Sequence, residues 1–152
     1  TKIAENPKAH FVFAGNYNTF EAVLSANGHL NGRMTHIGFQ NDIMAVYNIS
    51  DAFLNPARKG GGSGIVYAMQ AGLPILSLMQ GDAGLAATGF PPLADYDALA
   101  ARANDLIENT KTRKQYQNIA ETEAPKFTGR AKLVKRIMDE FEKLSDRKLA
   151  ET

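Results

Sequence analysis

Short apolar runs alternate with segments of helical spacing through the first half of the chain. Four apolar runs predict strands, at Phe11–Ala14, His36–Ile37, Asp51–Leu54 and Leu73–Leu78. Three segments between them carry their apolar residues on one side and predict helices, at Thr19–Ala26, Asp42–Asn48 and Ser63–Ala71. Because continuously apolar strands are separated by single helices, we predict an α/β fold with a doubly wound parallel sheet.

From Asp95 onward the pattern becomes purely helical. It predicts helices over Asp95–Asn109, Lys111–Glu123 and about Arg130–Leu149, so a helical segment of about 95–149 closes the chain. Asp95 is placed to cap the first of these helices. Acidic and basic residues are mixed around the last apolar stripe, which favours a solvated face over a membrane-surface helix.

The amino-acid composition argues against several classes of protein. The 152 residues, 44% of them hydrophobic, suit one domain with a core. Seventeen Lys and Arg against 16 Asp and Glu give a formal charge of +1, which argues against a nucleic-acid partner. There is no cysteine, and no apolar run reaches the ~18 residues of a transmembrane segment. We expect a cytoplasmic location and leave open a peripheral association with the inner membrane face.

A glycine-rich turn lies between the third predicted strand and the following helix. Gly60, Gly61 and Gly62 remove side chains where phosphates would approach the backbone, and Ser63 is placed to cap a helix whose N–H groups face the same anion. Arg58 and Lys59 add positive charge. The turn predicts a phosphate-binding site, although a plain flexible turn would explain three glycines about equally well.

Ligands of doubly wound sheets bind at the carboxyl ends of the strands. Four loops fall there, after Gly15, after Gly38, over 55–63 and over 81–84, and we predict that they line one crevice. Asp82 in the last loop is either a contact to a ligand or a helix N-cap, with the cap slightly favoured. His36 lies inside a predicted strand and is expected to be a hydrogen-bonded structural histidine.

The order and spacing of these pieces resemble one family over nearly the whole chain. The segments are Phe11–Gly15, Met34–Phe39, Ile43–Tyr47, Ser50–Pro56 and Gly60–Ser77. Together they are similar to the carboxyl-terminal half of GT-B glycosyltransferases of the retaining group 1 family. In that family this half binds the nucleotide-sugar donor, commonly a UDP-sugar.

The resemblance assigns roles to individual residues. It implies that Gly38 and Phe39 lie against the nucleotide base, with packing of Phe39 in the core as the equal alternative. It places Gly15, Asp82 and the run Gly60–Gly64 at the donor. From their charge beside this run, we expect Arg58 and Lys59 to be the catalytic residues that stabilise the leaving diphosphate. The two acids of the family would fall at Lys59 and Tyr67, so neither acid is present. Tyr67 could still offer its phenol to the ribose.

The resemblance also implies a reaction and its partners. The enzyme would be a retaining hexosyltransferase that moves a sugar from a uridine or guanosine diphosphate sugar to a hydroxyl of a glycan, lipid or protein. No metal or other cofactor is expected. Since the chain starts at Thr1, we expect residues 1–152 to be a single donor-binding domain that lacks its amino-terminal GT-B domain and is inactive alone.

Two other functions remain open. The loss of both acids would suit a catalytically inactive GT-B-like binding or regulatory module. A dinucleotide-binding domain fits least, because the glycine-rich turn follows a late strand and lacks the Gly-x-Gly-x-x-Gly spacing.

Overall fold

The computed structural model describes residues 2–56, 62–78, 81–87, 89–127 and 129. Arg58, Lys59, Gly60 and Gly61 lie outside the described residues, and so does the helix predicted over about 130–149. The backbone of Asp82 is described, but its side chain is not. The predictions that rest on these residues therefore remain predictions.

Strands and helices alternate from residue 11 to residue 86. The strands are β1 (Phe11–Ala14), β2 (Met34–Gly38), β3 (Phe53–Asn55) and β4 (Ile75–Ser77). The helices are α1 (Phe20–Ala26), α2 (Ile43–Asn48), α3 (Gly62–Gln70) and α4 (Gly81–Ala86), with a 3₁₀ turn at Gly28–Leu30. All four predicted strands and all three predicted helices of this part are confirmed, with small shifts at their ends.

The strands pair in parallel, which confirms the α/β class. β1 pairs with β2, with Phe11 opposite Met34, and β3 pairs with β4, with Asn55 opposite Ser77. One helix connects the two strands of each pair, as parallel pairing requires. Within the described residues the strands form two two-stranded sheets, because no strand there is hydrogen-bonded to both pairs.

Helix α3 lies at the centre of the main core. Its residues Ile65, Ala68 and Met69 are buried at the i, i+3, i+4 spacing of one helix face. They pack in one cluster with Ile75 and Leu76 of β4. This burial fixes the axis of α3 and therefore fixes where its first turn points.

A second, smaller cluster lies under β1 and β2. Phe20 of α1 packs there with Leu30 and Met34, against the partly buried Phe11 and Phe13 of β1. Phe11 also packs against the main core. Phe11 therefore joins the packing of the two clusters.

The rest of the described chain is a helical hairpin. It consists of α5 (Tyr96–Glu108), α6 (Thr110–Glu123) and a 3₁₀ turn at Ala124–Lys126. Asp95 caps α5 as predicted, because its carboxylate accepts a hydrogen bond of 2.8 Å from the N–H of Ala98. Arg113 of α6 donates to the carbonyls of Leu106 and Ile107, both at 2.9 Å, and so satisfies carbonyl groups at the end of α5.

None of the helices described is long and apolar enough for a membrane crossing.

Two predicted helix caps are wrong. Helix α3 begins at Gly62, so Ser63 lies inside the first turn and is not the N-cap. Helix α4 begins at Gly81, so Asp82 also lies in a first turn, which rules out the cap that the sequence slightly favoured. In both cases the glycine before the polar residue is already helical, so the helix starts two residues earlier than a cap at the polar residue would give.

Candidate functional site

The ends of β1 and β2 meet through two glycines. The N–H of Gly15 donates to the carbonyl of Gly38 at 2.7 Å. Gly15 has φ +112° and Gly38 has φ +64°, backbone conformations that residues with side chains rarely adopt. For these two loops the predicted convergence is confirmed.

His36 joins the same junction from β2. Its Nε2 lies 2.7 Å from the carbonyl oxygen of Gly15. The ring packs against Phe20 at a centroid distance of 5.1 Å and meets the ring of Tyr17 edge-on at 5.9 Å. The expectation of a hydrogen-bonded histidine is confirmed, and its partner turns out to be a residue of the candidate site.

Two aromatic side chains close to these glycines in the sequence are exposed to solvent. Phe39 follows Gly38 and is 74% exposed, so the alternative that it packs in the core is wrong. Tyr17 follows Gly15 by two residues and is 43% exposed. Sequence reasoning did not select Tyr17, although an aromatic residue just after a strand-ending glycine was the available signal. Both rings offer the kind of apolar surface that a nucleoside contacts.

The ends of β3 and β4 carry a buried polar pair that sequence reasoning also missed. Asn55 donates from Nδ2 to Oγ of Ser77 at 3.2 Å, and Ser77 donates to the carbonyl of Leu78 at 3.0 Å. Both side chains are buried. Their signal was polar residues within otherwise apolar strands. The pair lies at the carboxyl ends of β3 and β4, the strands that precede α3 and α4, and the loop predicted over 81–84 is wrong because these residues belong to α4.

Helix α3 presents its first turns at the end of β3. Gly62 and Ser63 start the helix, and Ser63 is exposed. A Cβ on Gly64 would lie 3.4 Å from the ring of Phe53, which is ordinary van der Waals contact, so this glycine packs directly against β3. Tyr67 is 46% exposed and lies about 7.5 Å along the axis from the start of the helix.

Positive charge at this site would come from two sources. The N-terminus of α3 carries the positive end of the helix dipole and free N–H groups. Arg58 and Lys59 precede it in the sequence, outside the described residues. Among the described residues that directly follow the four strands in the sequence, none is a Lys or an Arg. Among the described residues no cluster of three His, Asp or Glu could hold a metal ion.

Parallel strands that are joined by single helices define this chain as an α/β domain. The chain matches the family of glycosyl transferases group 1 over residues 1–123. It belongs to that family. No curated protein gave a significant sequence match.

Solved structures share the fold. The chain is similar to WaaG, a glycosyltransferase involved in lipopolysaccharide biosynthesis, with 20% identity and a TM-score of 0.69 over 82% of this chain and 37% of that one. It is similar to HepE of Anabaena in complex with UDP, with 18% identity and a TM-score of 0.72 over 93% of this chain and 43% of that one. The HepE complex with UDP and glucose gives a TM-score of 0.70 at the same identity and the same coverage of both chains. The chain therefore has the fold of a GT-B glycosyltransferase domain and spans less than half the length of these proteins.

Proposed function

We propose that this chain is the donor-binding domain of a glycosyltransferase and that its ligand is a nucleoside diphosphate sugar. The observation that carries the proposal is the position of α3, which follows β3 in the chain and starts at Gly62, next in sequence to Gly60 and Gly61. Family membership and the UDP bound to HepE support the same ligand class.

The chemistry of the proposed site is electrostatic. The pyrophosphate would accept hydrogen bonds from the N–H groups of the run Gly60–Gly64 and lie at the positive end of the α3 dipole. Arg58 and Lys59 would neutralise charge as the diphosphate leaves. The base would lie at Gly38 and Phe39, whose exposed ring supports that placement.

The remaining proposed contacts are those to the ribose and the sugar of the donor. Tyr67 would reach the ribose with its exposed phenol, and Asp82 would lie near the sugar. The acceptor, whether a glycan, a lipid or a protein, would bind to an amino-terminal GT-B domain outside this chain. The transfer would be that of a retaining hexosyltransferase, and the 152-residue chain alone would not catalyse it.

Calorimetric titration tests the ligand class. The chain is titrated with UDP, GDP and NAD; we expect saturable binding of UDP or GDP and none of NAD. Gly62→Val should abolish this binding because a branched side chain would stand at the first turn of α3. Gly28→Val is the matched control, since Gly28 lies in a 3₁₀ turn without a positive φ, and a Cβ added there would meet no heavy atom within 4 Å. Equal affinity of both variants, or preferential binding of NAD, would contradict the proposal.

A second candidate function is a GT-B-like binding or regulatory module without transfer activity. The replacement of both family acids, by Lys59 and Tyr67, favours it. A protein that contains this chain together with an acceptor domain would separate the two functions. Turnover of a nucleotide sugar in the presence of acceptor supports the enzyme, and nucleotide binding without turnover supports the module.

A further inference from the structure

His36 stands out because its hydrogen bond holds a residue of the candidate site rather than a neighbour in its own strand. The carbonyl oxygen of Gly15 can only accept a hydrogen bond, so Nε2 of His36 must carry the proton. In the neutral ring Nδ1 then has no hydrogen. The tautomer of His36 is thus fixed by Gly15.

The two peptide units that flank Gly15 are both restrained. The N–H of Gly15 donates to Gly38, and its carbonyl accepts from His36, each at 2.7 Å. A glycine at φ +112° would otherwise sample many conformations, so these two bonds remove freedom that ligand binding would have to remove. The backbone at Gly15, where the loop after β1 begins, is therefore restrained without a ligand.

The same histidine orients the ring of Tyr17. Tyr17 meets His36 edge-on at 5.9 Å and Phe13 edge-on at 5.6 Å, with interplanar angles of 89° and 80°. Packed on these two rings and still 43% exposed, Tyr17 has a defined orientation and an open surface at the end of β1. A rigid aromatic surface of this kind gives contact area at low conformational cost.

We propose that His36 is a positioning residue for the nucleoside diphosphate: it fixes the loop at Gly15 and sets the Tyr17 ring as a contact surface for that ligand. This inference rests on the proposed function and adds two residues to its site. A phenylalanine at position 36 would keep the packing against Phe20 and Tyr17 and would lose the donor. Glutamine would keep a donor near Nε2 and lose the ring.

The experiment measures UDP affinity of folded protein by calorimetry, with thermal unfolding measured beside it. We expect His36→Phe to bind UDP about fivefold to tenfold more weakly, the effect of one lost hydrogen bond, and His36→Gln to recover most of the loss. Tyr17→Ala should weaken binding in the wild type and have a smaller effect in the His36→Gln background, which lacks the ring against which Tyr17 packs. His10→Phe is the matched control, because His10 precedes β1 at the opposite end of the strand and contacts Thr35.

The possible outcomes separate the inference from the proposed function. Binding of UDP by the wild type with unchanged affinity in His36→Phe overturns the inference alone. Absence of binding by the wild type to UDP and GDP overturns the proposed function and the inference with it. Nitrogen-15 shifts of the His36 ring give a test that needs no ligand, and a proton on Nδ1 rather than Nε2 in the neutral ring would overturn the inference.

Discussion

Asn55 and Ser77 are register partners at the ends of β3 and β4, and their side chains are hydrogen-bonded to each other at 3.2 Å. Both are buried, so neither side chain can exchange this bond freely for water. The bond ties together the carboxyl ends of the two strands that precede α3 and α4. The positions of these strand ends are therefore set by a polar contact inside an apolar core.

Loss of the Ser77 hydroxyl should be costly. Ser77→Ala leaves the Nδ2 group of Asn55 buried without its partner, and we expect the free energy of unfolding to fall by about 1–3 kcal/mol. Urea denaturation measures this change. Ser25→Ala, at an exposed residue of α1, is the matched control and should change stability by less than about 0.5 kcal/mol. Equal effects at the two serines would show that the Asn55 contact contributes nothing.

Tyr116 gives the opposite expectation. Its side chain is 3% exposed, and within the part of the chain that the structure describes its hydroxyl has no hydrogen-bond partner. Tyr116→Phe removes this unpaired polar group and keeps the ring contact with Phe90, so stability at pH 7 should stay equal or rise. A loss of about 1 kcal/mol or more, on the order of one hydrogen bond, would reveal a partner for the hydroxyl.

Tyr116→Phe should also change how the free energy of unfolding depends on pH in the alkaline range. Burial raises the pKa of the Tyr116 phenol above its ordinary value of 10.0, while the nearby Arg102 opposes that shift. A raised pKa in the folded state means that the contribution is complete below pH 10 and is lost as the pH rises through the folded pKa. Wild-type stability should therefore fall more steeply above pH 10 than that of Tyr116→Phe, as measured by urea denaturation at a series of pH values.

Much of the architecture could be predicted from the sequence, because it depends on local patterns. The apolar run Phe11–Ala14 coincides with β1, and the polar residue Asp95 before an apolar stripe correctly marks the start of α5. The prediction that Ser63 caps α3 was wrong because a glycine can also begin a helix. No local pattern distinguishes a cap residue from a residue of the first turn.

The contacts that position the site could not be predicted in the same way. The Asn55–Ser77 and His36–Gly15 pairs join residues more than 20 positions apart. Each depends on strand register, which is set by the packing of the whole domain. The position of Phe39 could not be predicted from the sequence either, because an apolar ring suits both the core and a ligand contact. The structure shows that its side chain is exposed and does not pack in the core.

Glu108 should make the attachment of the amino-terminal segment sensitive to acid. Hydrogen bonds from the side chains of Lys8, at 2.6 Å, and Asn6, at 3.2 Å, lower the pKa of Glu108 below its ordinary value of 4.5. A lowered pKa means that the contribution to stability is present above pH 4.5 and is lost as the pH falls through the folded pKa. The difference in unfolding free energy between wild type and Glu108→Gln should shrink between pH 7 and pH 3. A difference that grows on acidification would contradict this expectation.

Arg58 should contribute to nucleotide binding through charge. Arg58→Ala is expected to weaken UDP binding by about 1.5–3 kcal/mol, the range for hydrogen bonds to charged groups. Added salt should reduce the difference between variant and wild type, since screening acts on an exposed ion pair. Lys114→Ala, at an exposed position of α6, is the control for a general loss of positive charge and should leave UDP affinity unchanged. Equal losses in both variants would indicate a long-range field rather than a contact.

Tyr67 allows a direct test of the ribose contact. The side chain is 46% exposed on α3, so Tyr67→Glu should not disturb the core, and it restores the acid that the family resemblance places here. A carboxylate accepting from a ribose hydroxyl should strengthen UDP binding about tenfold or more, whereas Tyr67→Gln, the neutral control, should gain less. The test uses calorimetry with UDP and with 2′-deoxy-UDP. A gain that depends on the 2′-hydroxyl supports a contact to that group, an equal gain with both ligands supports a contact to the 3′-hydroxyl, and no gain with either ligand would place the ribose elsewhere.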